Sequence, residues 1–183
     1  MKKITIVLLF LISNIGISQE TKNTGIIYGK NHSFKLTAPS EWILDNKSGV
    51  SQGIHAVFYK KGFTWSNAET VMYANTSPLK IPKQETLSEL MKYDADRFRE
   101  NYPGINITNG KEIKINDKTV AIVKRFGSKS YGNYEAIAYI DEGKTGIMIV
   151  MSSRTEFGIE RDYEKFVELV KSYDFIADYN VTE

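Results

Sequence analysis

The stretch Lys144–Ser153 reads Lys-Thr-Gly-Ile-Met-Ile-Val-Met-Ser-Ser, with an unbroken apolar run from Ile147 to Met151. That run is far too short to span a membrane and is rich in strand-forming residues. A strand with one wet face would alternate apolar and polar residues, so this one is expected to be covered on both faces. Met148 and Ile149 point to opposite sides of one strand, and both should be buried. Ile147–Met151 therefore reads as the centre of a sheet, and the rest of the chain has to supply cover above and below it.

Two amphipathic segments can do so. Thr86 with Glu89 forms a capping-box pair, after which Leu87, Leu90, Met91, Ala95, Phe98 and Tyr102 recur at helical spacing until Pro103-Gly104 stops them. A second helix begins at Thr155 or Glu156. Its stripe is Ile159, Tyr163, Phe166, Val167 and Val170, and it ends near Tyr173. Strand patterns fall at Ser33–Ala38, Ile54–Tyr59 and Thr70–Ala74, then at Ile105–Ile115 (unevenly alternating), Thr119–Phe126 and Tyr134–Ile140. Asn116-Asp117 and Asp141-Glu142-Gly143 are hairpin turns, and such short links make the sheet mainly antiparallel. The expected class is α+β: a mainly antiparallel sheet of about six strands sandwiched by two amphipathic helices. It forms one domain over 33–178. A flexible lead-in at 20–32, with room for a short edge strand at Ile26-Ile27-Tyr28, precedes it, and a tail at 179–183 follows.

Phe34-Lys35-Leu36-Thr37-Ala38-Pro39, closely followed by Trp42, resembles the opening of the Mog1/PsbP-like group, where a strand runs into a proline and then a tryptophan. The closing segment, with Phe166, Val170, Ser172-Tyr173 and Phe175, is similar to that group's last helix running into a Ser-aromatic segment. The resemblance spans about 33–176. It implies an antiparallel sheet between helices, used chiefly to bind other proteins. The group includes photosystem extrinsic subunits, a nuclear-transport partner and bacterial envelope or secretion-chaperone proteins. It shares no catalytic residues, so none is carried over.

The N-terminus has its own signature. Lys2 and Lys3 precede the apolar Ile4–Ile12, and Gly16 and Ser18 stand in small-x-small spacing. This is the layout of a cleaved signal peptide over 1–19, cut after Ser18 or Gln19. Losing Lys2 and Lys3 lowers the basic residues from 24 to 22, equal to the 22 acidic ones. The mature chain then has no basic domain suited to nucleic acid, no Lys/Arg block for an anionic membrane and no transmembrane segment. With no cysteine there is no disulfide framework and no site for a lipid anchor. A core of this size needs neither disulfide nor metal. The expected location is periplasmic or secreted.

Catalytic patterns are weak. Gly49-Val50-Ser51-Gln52-Gly53 matches the nucleophile elbow in letters only, because no helix follows it and the histidines, His32 and His55, stand in the wrong order for a triad. It reads as a glycine-flanked turn. His55 is expected as a hydrogen-bonded core residue on the strand Ile54–Tyr59. Asp94 and Asp96 fall on different faces of their helix, and two histidines without cysteine leave no metal set. No cofactor is implied.

The remaining signal is aromatic. Tyr59, Phe63 and Trp65 surround Lys60-Lys61-Gly62, and Tyr131 and Tyr134 flank Gly132. Rings beside cations are typical of protein contact sites, although anchoring of the loops into the core is the favoured reading. The function expected is an exported, non-enzymatic domain that binds another envelope or exported protein. The alternatives are an enzyme built on a carboxylate or on His55, and a carrier of a small apolar ligand. A pocket of facing carboxylates would favour the enzyme, a dry cavity the carrier and an exposed aromatic patch the binder.

Overall fold

The computed structural model describes residues 23–29, 32–82, 85–128 and 131–177. The expected signal peptide at 1–19 and the tail at 179–183 lie outside them. Strands β1 (Thr24–Gly29), β2 (His32–Thr37), β3 (Trp42–Asp45), β4 (Val57–Lys60) and β5 (Thr70–Pro78) precede helix α1 (Leu87–Asn101). Then come β6 (Asn106–Asn109), β7 (Ile113–Lys114), β8 (Val120–Gly127), β9 (Tyr134–Asp141), β10 (Thr145–Ser153), helix α2 (Glu156–Lys171) and β11 (Asp174–Ala177).

The doubly apolar run is indeed the middle of the molecule. An eight-stranded antiparallel sheet has the order β3-β4-β5-β10-β9-β8-β6, with β7 also paired to β8. Ile149 lies between Ala74 of β5 and Ala138 of β9. Met148 and Ile149 are 9% and 0% exposed. On one face Ile147, Ile149 and Met151 pack with Ile159, Phe166, Leu169 and Val170 of α2. On the other, Met148 and Val150 pack with Leu90, Met91, Ala95 and Phe98 of α1. A three-stranded sheet, β1-β2-β11, adds Phe34 and Leu36 to the α2 side.

Local chemistry sets the helix starts. Thr86 Oγ1 accepts from the Glu89 amide at 3.2 Å, and Glu89 Oε2 accepts from the Thr86 amide at 3.0 Å, the reciprocal capping box. Thr155 Oγ1 accepts from the Gly158 amide at 3.0 Å to open α2. The two segments that resemble the Mog1/PsbP-like group meet in space. Phe34 and Tyr173 lie ring to ring at 5.3 Å, and the Thr37 amide donates to Ser172 Oγ at 2.9 Å.

The described residues form more strands than the six that the sequence pattern predicts, and they fall in two sheets. The lead-in supplies β1, which pairs with β2 along its length. β3 and β11 are short strands whose pattern is hidden beside Pro39 and behind α2. The uneven run Ile105–Ile115 is two strands, broken where the Gly110 amide donates to the Val123 carbonyl at 2.9 Å. A Cβ at Gly110 would lie 2.7 Å from Val123 Cγ1, so only glycine lets the chains approach there.

His55 is a correction. β4 begins only at Val57, because the Ile54 amide turns back to donate to the Gly49 carbonyl at 3.0 Å. His55 is left exposed in a bend, not in the core. The Gly49–Gly53 stretch is a single 3-10 turn, Val50–Gln52, closed by Gly53 at φ 74°. Among the described residues no helix is long and apolar enough to cross a membrane.

Candidate functional site

The α1 face of the sheet has two separate covers. Helix α1 lies over β8, β9 and β10. The β3-β4-β5 end is covered instead by the connections around Ile54 and Trp65, which pack with Val57, Tyr59, Ala68 and Val71. Register places Tyr73 beside both Val57 and Val150, and its ring packs against both groups. Two cavities of about 220 and 400 Å3 lie along this seam and share Tyr73 and Glu135 as walls. Asp94 and Arg97 line the first, Trp65 and Arg154 the second.

Two carboxyls in the seam are buried. Asp94 comes from the inner face of α1 and is 6% exposed. The Tyr139 hydroxyl donates to its Oδ2 and the Arg97 guanidinium to its Oδ1, each at 3.0 Å. Burial pushes its pKa up, against the opposing pull of Arg97 and the Tyr139 bond. Glu135, near the start of β9, is 7% exposed. Its Oε1 accepts from the Tyr131 hydroxyl at 2.9 Å, and the Ser152 side chain bonds it as well. Burial pushes this carboxyl up too, and the nearby charge of Asp94 adds to the shift. Among the described residues no lysine or arginine reaches Glu135 as an ion pair. Burial likewise holds the hydroxyls of Tyr73, Tyr131 and Tyr139 well above the usual tyrosine range, so they remain neutral donors.

The five aromatic candidates separate. Trp65 lines the seam and meets Tyr73 edge-on at 6.1 Å. Tyr131 packs against Phe98 and Tyr102 and reaches Glu135. Tyr59 is buried under the loop and donates to Asp45 Oδ2 at 2.7 Å. Tyr134 packs on the opposite, α2 side, lining a small cavity of about 110 Å3 with Arg125 and Glu160. Phe63 is 49% exposed.

Sequence reasoning missed Tyr73, Asp94 and Glu135 as a group. A signal for the carboxyls was present. Asp94 shares a helical stripe with Leu90, Met91 and Phe98, and Glu135 shares a strand face with Ile137 and Tyr139, so each acid stands where an apolar residue belongs. Among the described residues no three His, Cys, Asp or Glu side chains form a metal site.

Comparison with solved structures defines the class first: the chain has a Mog1/PsbP-like fold. The solution structure of cyanobacterial PsbP from Synechocystis matches 92% of this chain and 99% of that one, with a TM-score of 0.54 at 13% identity. Mog1p of Saccharomyces cerevisiae, a Ran-binding protein, matches 86% of this chain and 97% of its own with a TM-score of 0.50 at 10% identity. A point mutant of Mog1 gives the same score at 12% identity, over 85% of this chain and 97% of its own. By sequence alone, no family model and no curated protein matches.

Proposed function

We propose that this is an exported, non-enzymatic domain that binds another protein of the cell envelope through the seam between its two covers. The observation that carries this reading is the interrupted roof of the α1 face, which leaves Trp65, Tyr73 and Glu135 lining one open cleft. Aromatic rings in a partly desolvated recess are the residue types that dominate protein contacts. That a neighbour of the same fold is a Ran-binding protein fits such a use. Export rests on the N-terminal pattern of Lys2, Lys3, Ile4–Ile12, Gly16 and Ser18.

The test is pull-down with the mature protein from its own envelope fraction, with intact mass of the exported chain measured alongside. A specific partner, lost on Trp65→Ala, is the expected result. A chain that keeps Met1–Ile17 and stays in the cytoplasm overturns the export reading. An enzyme is the second reading, favoured by one observation: Asp94 and Glu135 line the same cleft. Asp94, however, is already bonded to Arg97 and Tyr139. A turnover abolished by Glu135→Gln would replace the binding reading.

A further inference from the structure

We infer that the cleft takes a cationic side chain, a guanidinium or ammonium of the captured protein, seated between Glu135 and the rings of Tyr73 and Trp65; this deepens the binding reading above and rests on it. The charges along the cleft point to it. Arg97 is bonded to Asp94 at 3.0 Å. Arg154 donates to the carbonyls of Asn67 and Ala68 at 2.9 and 2.6 Å. Glu69, which also lines the cleft, is neutralised by Arg161 at 2.7 Å. Among the described residues Glu135 is thus the carboxyl of the walls without an ion pair: its bonds come from neutral hydroxyls, and Arg97, whose charge reaches it, is already held by Asp94.

A buried carboxyl without a counter-ion is costly in its charged form, and a cation entering the cleft removes that cost. The geometry around it suits a cation further. Trp65 and Tyr73 both line the recess, with their planes 85° apart, and aromatic faces attract cations. Tyr73 stays neutral and therefore does not compete with Glu135. The space of about 400 Å3 on the Trp65 side accommodates the end of an arginine or lysine but no folded element.

The probes are arginine amide and citrulline amide, both acetylated on the α-nitrogen so that the first carries one charge and the second none, together with agmatine, titrated into the protein by calorimetry and by tryptophan emission. Of the two tryptophans, Trp42 is buried away from the cleft in the α2-side core, so Trp65→Phe identifies the reporting ring. Saturable binding of both cations and not of citrulline amide is expected. Glu135→Gln should weaken it about tenfold or more, the loss of one charge-assisted contact. Tyr73→Leu, which removes a ring without changing a charge, should weaken it as well and serves if Glu135→Gln folds poorly. Equal response to citrulline amide, or undiminished binding in both variants, overturns the inference. Partner capture that survives Glu135→Gln also overturns it and leaves the binding reading standing. Cation binding by a protein that captures no partner supports the site and overturns that reading.

Discussion

The Tyr131 hydroxyl donates a 2.9 Å hydrogen bond to Glu135, and this bond holds a carboxyl that burial drives toward its protonated form. The folded chain therefore keeps the Glu135 proton more tightly than the unfolded chain does. The stability carried by that proton is fully present below the ordinary value of 4.5 and is lost as pH rises through the raised one. Asp94 shifts in the same direction, Arg97 opposes it, and Tyr73 and Tyr131 do not titrate in this range. Glu135→Gln mimics the protonated state and can still accept from Tyr131. Its melting temperature should fall less than that of the wild type between about pH 4.5 and neutrality. Melting curves of the two proteins across that interval decide the matter, and parallel curves would contradict the assignment to Glu135.

The central position of β10 gives a second expectation. Met148 and Ile149 are buried on opposite faces, under α1 and α2 respectively. An aspartate at either place would bury an unpaired charge, at a cost of about 3 kcal/mol or more. Denaturant unfolding of Met148→Asp and Ile149→Asp measures it. Tolerance of either substitution would mean that one cover can move aside.

How much of this was legible follows from what a sequence pattern encodes. The run Ile147–Met151 and the stripes of α1 and α2 report burial directly, so the layered architecture could be read from them. The strands β3 and β11 could not, because four residues paired at a sheet margin carry no period long enough to register. His55 was misplaced for a related reason. Its neighbours look like strand, but a backbone bond from Ile54 to Gly49 delays the strand to Val57. The cleft depends on which half of one sheet face each cover reaches. Tyr73, Asp94 and Glu135 are scattered through the chain, and only the register of β5, β9 and β10 together with the packing of α1 over them brings the three together.

The start of α2 sits hard against the sheet. A Cβ on Gly158 would overlap Ser153 Oγ and lie 3.0 Å from Thr70 Oγ1. Those two hydroxyls are buried and bonded to each other at 3.1 Å, so neither can turn away freely. Gly158→Ala should destabilise by about 1–3 kcal/mol through overpacking. Adding Ser153→Ala removes the overlapping oxygen, and a double-mutant cycle should show part of the loss recovered. Strict additivity would show that the contact is not the cause.

Trp65 and Phe63 lie two positions apart in one connection and should behave oppositely. Trp65 is half-buried, packs edge-on against Tyr73 and belongs to the cluster under the loop. The loop backbone has independent support, from the Thr64 amide donating to Asn67 Oδ1 at 2.6 Å and from Arg154 on the carbonyls of Asn67 and Ala68. Trp65→Ala should therefore cost about 1–2 kcal/mol, the worth of the ring contact and its partial burial, without unfolding the loop. Phe63, 49% exposed, should cost less than about 0.5 kcal/mol as Phe63→Ala. Capture should follow the cleft and not exposure: Trp65→Ala loses about 2 kcal/mol of partner affinity, roughly thirtyfold. Phe63→Ala, Ser51→Ala and His55→Gln should keep it. Melting temperature and pull-down on the same four variants supply the answer. Loss of capture in Phe63→Ala with retention in Trp65→Ala would move the contact surface from the cleft to the loop tip.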